Sequence, residues 1–84
     1  MSTDLRETIL GLVAVLLRED GLPVPTMSDD TVLLETGLDS LGFAVLVTQL
    51  EESLGYDPFT LMSEAIYPRT LSEFESVYIK YAPR

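Results

Sequence analysis

The chain contains no cysteine and no histidine among its 84 residues. Without cysteine there is no disulfide, no thiolate metal site and no built-in thiol nucleophile. Without histidine it lacks the side chain most often used for acid–base work near neutral pH, which is also the commonest metal ligand. The two absences argue against an autonomous enzyme and leave covalent chemistry to a hydroxyl or to a group supplied from outside. Basic residues are missing over a long interval: Glu19, Asp20, Asp29, Asp30, Glu35, Asp39, Glu51, Glu52, Asp57 and Glu64 lie between Glu19 and Pro68 with no lysine or arginine, and the formal net charge is −9. Such a field repels nucleic acid and anionic lipid, steers basic partner proteins toward the chain and also serves solubility. Long hydrophobic runs are absent as well. The stretch from Ile9 to Leu17 is too short to span a bilayer, and Asp4, Arg6 and Glu7 are not the flanks of a signal peptide. The expectation is a cytoplasmic protein with no membrane span, no nucleic-acid partner and no metal.

What is present is apolar enough to fold: 46% of residues are hydrophobic, which suits one domain over residues 1–84 without a covalent staple. Leu5, Ile9, Leu12, Val13, Leu16 and Leu17 recur at helical spacing and predict a helix over 3–18, with Ser2, Thr3 or Asp4 as its cap and Gly21 and Pro23 as its stop. An irregular connection from Glu19 to Leu38 follows, holding one helical turn near Val32 to Glu35 and anchored by Leu33, Leu34 and Leu38. The second helix runs from Ser40 to Leu54 between an Asp39 cap and Gly55, where a left-handed residue is wanted. Asp57-Pro58 makes a turn, and Phe59 to Ile66 leaves room for a short helix ended by Pro68. Thr70 caps the last helix, Glu73 completes a capping box, and Leu71, Phe74, Val77 and Tyr78 form its inward face. No strand shows convincing alternation, and neither repeats nor low-complexity segments appear. The fold class is therefore all-α: a small four-helix bundle with a long first loop and a short third helix.

One hydroxyl stands out. With Asp39 as the cap, Ser40 is the first helical residue and lies beside amide groups that have no partner within the helix. The positive pole of the helix dipole falls there, so a phosphodiester built on Ser40 would sit in a favourable field. Asp-Ser alone is an ordinary helix opening. The wider pattern is Leu33-Leu34-x-x-Gly37-Leu38-Asp39-Ser40-Leu41, then an apolar helix ending in Leu50-Glu51-Glu52-Ser53-Leu54-Gly55, within an acidic helical domain. Here the chain resembles the acyl carrier protein family, including peptidyl and aminoacyl carriers, most specifically from Leu33 to Gly55.

The resemblance implies that Ser40 carries a covalent 4′-phosphopantetheine arm taken from coenzyme A, with Asp39 as helix cap and recognition residue for the phosphopantetheinyl transferase. It implies that the arm's thiol shuttles acyl or aminoacyl thioesters between a loading enzyme and downstream synthase enzymes. The missing cysteine then makes chemical sense, since a second thiol would invite transfer to the wrong sulfur. A carrier is a substrate of the transferase, not a catalyst, and Ser40 is activated by that enzyme and its metal.

The second helix has more apolar residues than one buried face can use. Phe43, Leu46, Val47, Leu50 and Leu54 make the core stripe, and Leu41, Val45, Thr48 and Glu52 a second one beginning beside Ser40. Leu41 and Val45 thus form a candidate partner face, or else pack under the long loop. Glu51 and Glu52 stand in the last turn, where the dipole disfavours anions, and the family's matching acids meet basic patches on its enzymes. Gly42 costs helix stability, about 1 kcal/mol in an interior and less near a start. Gly42 and Val45 are uncharged where fatty-acid carriers usually have acids, which favours a specialised pathway, polyketide-like or aminoacyl-loading. Tyr56, Phe59, Met62, Ile66 and Tyr67 gather near the third helix as core or as the mouth of a groove. The start at Met1 and the short ends favour a standalone protein, and the expected state is a monomer. The competing reading is a noncovalent acidic adaptor; a serine hydrolase ranks behind both because no histidine or lysine is placed as base, Lys80 lying near the far end of the last helix.

Overall fold

The first helix forms because apolar residues recur along one side of a segment free of proline, and it ends where the chain can reverse. In a computed structural model describing residues 2–62 and 68–83, α1 spans Ser2–Glu19. It is one residue longer at each end than its periodicity predicts; the side chains of Ser2, Thr3 and Asp4, the expected caps, lie outside the described residues. At its far end the Gly21 amide donates to the Arg18 carbonyl (3.0 Å) and the Leu22 amide to the Leu17 carbonyl (2.9 Å), the paired bonds of a Schellman stop. A single 3-10 turn (Leu33–Glu35) follows, then α2 (Ser40–Leu54), α3 (Pro58–Leu61) and α4 (Leu71–Lys80). Among the described residues no strand forms, and one isolated antiparallel bridge joins Val32 to Thr70.

Helix α1 packs on α2 and α4. Their shared core holds Ile9, Val13, Leu16 and Leu17 from α1, Leu46 and Leu50 from α2, and Leu71, Phe74 and Tyr78 from α4. Phe43, Val47 and Leu54 pack against it, so the expected core stripe of α2 is the one that faces inward. The last helix has its inward face at Leu71, Phe74 and Tyr78, all fully buried, with Val77 half-buried.

The long connection is stitched down over its second half. Leu33 donates its amide to the Arg69 carbonyl (2.9 Å), Leu71 to Thr31 (2.9 Å) and Ser72 to Asp29 (3.1 Å), so the loop is bonded to the entry of α4. Arg6 adds a side-chain tie, one guanidinium nitrogen at 2.6 Å from Asp29 and another at 2.7 Å from Glu75, the latter carboxylate buried. The arginine lies below full exposure between two carboxylates that raise its pKa further, which keeps it charged throughout. Leu33 and Leu38 are buried as expected, but Leu34 is 54% exposed. Successive residues of a 3-10 turn point about 120° apart, so Leu33 and Leu34 cannot both face the core.

Helix α3 also differs from expectation. The Asp57 carboxylate accepts from the Phe59 amide (2.9 Å) and Pro58 takes the first helical position, so the helix starts one residue earlier, and Met62 leaves it in extended backbone (ψ 140°). Proline suits that position because its missing N–H has no partner there anyway. The rest of the expected span, with Ile66 and also Tyr67, lies outside the described residues.

The predicted capping box of α4 is complete. Thr70 Oγ1 accepts from the Glu73 amide (3.1 Å), while Glu73 Oε1 accepts from the amides of Arg69 (2.9 Å) and Thr70 (3.3 Å). Those two backbone donors hold the Glu73 carboxyl below its ordinary pKa. A folded-state pKa lowered in this way gives stability that is present above the ordinary glutamate range and lost as pH falls through it toward the folded value. Glu73→Gln is expected to be less stable than the parent near neutral pH, with the gap closing as the solution is acidified below that range; thermal melts of both proteins across pH check this.

Candidate functional site

The site is assembled by the end of the loop and the first turn of α2. Thr36 closes the 3-10 turn by donating its hydroxyl to the Leu33 carbonyl (2.6 Å). Gly37 then adopts φ +112°, a backbone region open to glycine and closed to most side chains, and a β-carbon there would lie 3.2 Å from Leu22 Cδ1 and 3.4 Å from Leu17 Cδ2. This reversal drives Leu38 into the core, 3% exposed, and brings out Asp39 and Ser40. Asp39 is extended (φ −88°, ψ −177°) and its carboxylate accepts from the Gly42 amide at 2.7 Å. An N-cap of this kind is worth about 1 kcal/mol. Ser40 is therefore the first residue of α2, exposed, as the sequence predicts. Gly55 closes the helix at φ +87° with its amide on the Glu51 carbonyl (2.8 Å).

Leu38 precedes the cap and Phe43 occupies the fourth helical position, the two places of a hydrophobic staple, and both belong to the core packing. The spacing Leu38 to Phe43 carries that signal, which the sequence reading did not use. Arg6 and Asp29 were missed too, because nothing in the spacing of residues 6, 29 and 75 tells that they meet.

The candidate partner residues separate. Leu41 is 74% exposed directly beside Ser40, and Thr48, Glu51 and Glu52 are exposed further along α2. Val45 is half-buried and packed against the core, so it offers only its edge to solvent. Tyr56 and Phe59 pack on the core: the Tyr56 hydroxyl donates to the Tyr78 carbonyl (2.6 Å), and the Phe59 ring lies 6.0 Å from that of Tyr78. Met62 is half-buried.

Burial pushes the phenols of Tyr56 and Tyr78 above the ordinary tyrosine range, so both stay protonated. Lys80 ends α4 with its ammonium 5.5 Å from the Tyr81 ring centre. Among the described residues no group of His, Cys, Asp or Glu is arranged to hold a metal ion, and no helix is long and apolar enough to cross a membrane.

A phosphodiester on Ser40 is compatible with this geometry. The hydroxyl is exposed at the positive end of a 15-residue helix, which favours an anion by roughly 0.3–1 kcal/mol. The adjacent Asp39 carboxylate is turned to the Gly42 amide, and the exposed Leu41 gives an apolar surface beside the outlet.

The order and packing of the helices are those of a carrier protein. The chain matches the solution structure of MacpD, an acyl carrier protein from Pseudomonas fluorescens involved in mupirocin biosynthesis, with a TM-score of 0.83 and 23% identity over 99% of this chain and 75% of that one. The family model for the phosphopantetheine attachment site matches residues 7–75, and the chain belongs to that family, whose members hold 4′-phosphopantetheine covalently and carry rather than catalyse. No curated protein matches in sequence.

Proposed function

We propose that Ser40 is the attachment point of the phosphopantetheine arm and that the chain is a carrier of acyl or aminoacyl thioesters for a specialised biosynthetic pathway. The observation that carries this reading is the exposed Ser40 hydroxyl at the first position of α2, with Asp39 capping the same turn, inside the span matched to the family. When bound, the group supplies a terminal thiol on which the cargo is held as a thioester. In the loading step Ser40 Oγ bonds to the pantetheine-side phosphorus of coenzyme A, its proton passes to the transferase, and the adenosine-bearing half leaves. Asp39 keeps the helix wound up to residue 40 while this happens. Gly42 and Val45 are uncharged where fatty-acid carriers have acids, and the structural neighbour serves mupirocin biosynthesis; both support a pathway other than fatty-acid synthesis. The chain acts in this reading as a cytoplasmic monomer that meets its transferase, loading enzyme and synthase partners in turn.

The direct test is incubation of the full chain with coenzyme A, magnesium and a broad-specificity phosphopantetheinyl transferase. Intact mass should rise by one arm, and fragmentation should place it on Ser40. No gain with several transferases, or an arm on another serine, overturns the assignment.

The docking face in this reading is the exposed Leu41 with Glu51 and Glu52, Val45 contributing its edge. No basic residue lies from Glu19 to Pro68 to neutralise the two glutamates, so they favour a cationic partner patch. Glu51→Lys together with Glu52→Lys is expected to raise the transferase KM by about ten-fold at low salt and leave kcat nearly unchanged, the effect shrinking as salt is added. Steady-state kinetics across ionic strength check this; an unchanged KM removes these glutamates from the docking face.

A further inference from the structure

Three exposed leucines close in on the stretch from Gly37 to Ser40. Leu41 follows Ser40 and is 74% exposed, and Leu34, in the turn that leads to Gly37, is 54% exposed. Leu22 is 37% exposed and has its δ1 carbon 3.2 Å from the place a β-carbon at Gly37 would take. Folding does not account for Leu34 or Leu41: neither joins the core packing, whereas Leu33 and Leu38 from the same turn are buried in it. One exposed leucine on a surface needs no explanation, but several gathered about one reactive group mark a place of contact. Their surround is acidic. Glu19, Asp20 and Glu35 are exposed close to Leu22 and Leu34 in sequence, where Arg18 is the one basic residue.

We infer that Leu22, Leu34 and Leu41 form an apolar collar on which the phosphopantetheinyl transferase docks, through an apolar socket with a basic rim. This rests on Ser40 being the attachment point, and it extends the docking face from α2 to the loop side of the serine. The transferase is the occupant because its chemistry falls on Ser40 Oγ itself, so its active site must cover the residues that flank the serine. Loading and synthase enzymes act on the thiol at the far end of the arm and need no contact so close to Ser40. The acidic surround favours cations on the partner. Charge acts at a distance and is screened by salt, whereas apolar contact acts on touching and is not. The collar and the glutamates of α2 therefore differ in their response to ionic strength.

The test is steady-state transfer of phosphopantetheine from coenzyme A onto the full apo chain by a broad-specificity transferase. The proteins compared are the parent, Leu22→Ala, Leu34→Ala, Leu41→Ala and the triple variant, with Val15→Ala and Ile79→Ala as controls. Val15 and Ile79 are 45% and 50% exposed on α1 and α4, so they remove similar apolar surface from other helices. Each collar variant is expected to raise KM several-fold and the triple variant by at least about ten-fold, with kcat nearly unchanged and thermal melts within the ordinary range of a surface change. The rise should persist as salt is added, and the controls should keep the parental KM. A parental KM in Leu22→Ala or in Leu34→Ala overturns the inference and leaves Ser40 as the attachment point. So does an equal rise in either control, or a rise in the collar variants that fades with salt. If the parent itself takes no arm, the assignment of Ser40 fails and the inference falls with it.

Discussion

Ser40→Ala will leave the protein folded and abolish its loading with phosphopantetheine. The serine is exposed at the first helical position, its replacement is the best helix former, and the Asp39 cap bonds the amide of Gly42, not any atom of residue 40. The variant should therefore unfold within about 0.5 kcal/mol of the parent, the ordinary range for a surface change. In the proposed attachment loading depends on one oxygen, and the near neighbours in sequence offer no substitute: the chain has no cysteine, Leu41 is apolar, and Thr36 has its hydroxyl committed to the Leu33 carbonyl. Intact mass after exhaustive incubation should show no added arm on the variant and one on the parent, with thermal melts run in parallel. Ser40→Thr makes a finer probe, since it keeps the oxygen and adds a methyl at the same carbon; it should load slowly, if at all. An arm found on Ser40→Ala would move the attachment point elsewhere.

What makes that prediction clean is that the local parts of the structure were legible in sequence. Asp39, Gly55, Thr70 and Glu73 act within three or four residues of themselves, so the bounds of α2 and the box of α4 follow from capping chemistry alone. The Ser40 position followed for the same reason. In the long loop the turn near Val32 to Glu35 and the anchors Leu33 and Leu38 were legible, but the way the loop is tied down was not, because that comes from partners far along the chain: Leu33 with Arg69, Asp29 with Arg6 and Ser72. Hydrophobicity without geometry misplaced Leu34, which is as apolar as Leu33 but lies on the other side of a tight turn.

Apart from Asp29 and Glu75, which pair with Arg6, position separates two groups of acidic residues along this chain. Asp39, Asp57 and Glu73 each accept backbone amides at a helix start, where the dipole favours them. Glu51 and Glu52 are exposed in the last turn of α2, where it does not. The first group is explained by folding. The second is not, and this contrast supports its assignment to docking more than the net charge does.

Phe74→Ala should remove a large part of the stability of the domain. The side chain is fully buried, and its ring meets Phe43 of α2 edge-on at 5.4 Å, Phe59 of α3 at 6.2 Å and Tyr78 of α4 at 5.0 Å. It is thus a common contact for three helices, including the one that presents Ser40. Truncating a buried phenylalanine costs about 3–5 kcal/mol through lost burial and the cavity left behind. At roughly 0.05–0.15 kcal/mol per residue, an 84-residue domain has about 4–13 kcal/mol in all. The loss therefore consumes between about a quarter and the whole of the total, and for a domain of this size it corresponds to a fall in Tm of at least about 12 °C. Phe74→Leu keeps most of the apolar volume and should lose far less. Denaturant melts of the three proteins decide the point, and transferase assays at a temperature where each is folded should show the leucine variant loading like the parent. A shift below about 1 kcal/mol for the alanine variant would mean that the rings can close over the vacancy and that the bundle is braced by the aliphatic contacts of α1 instead.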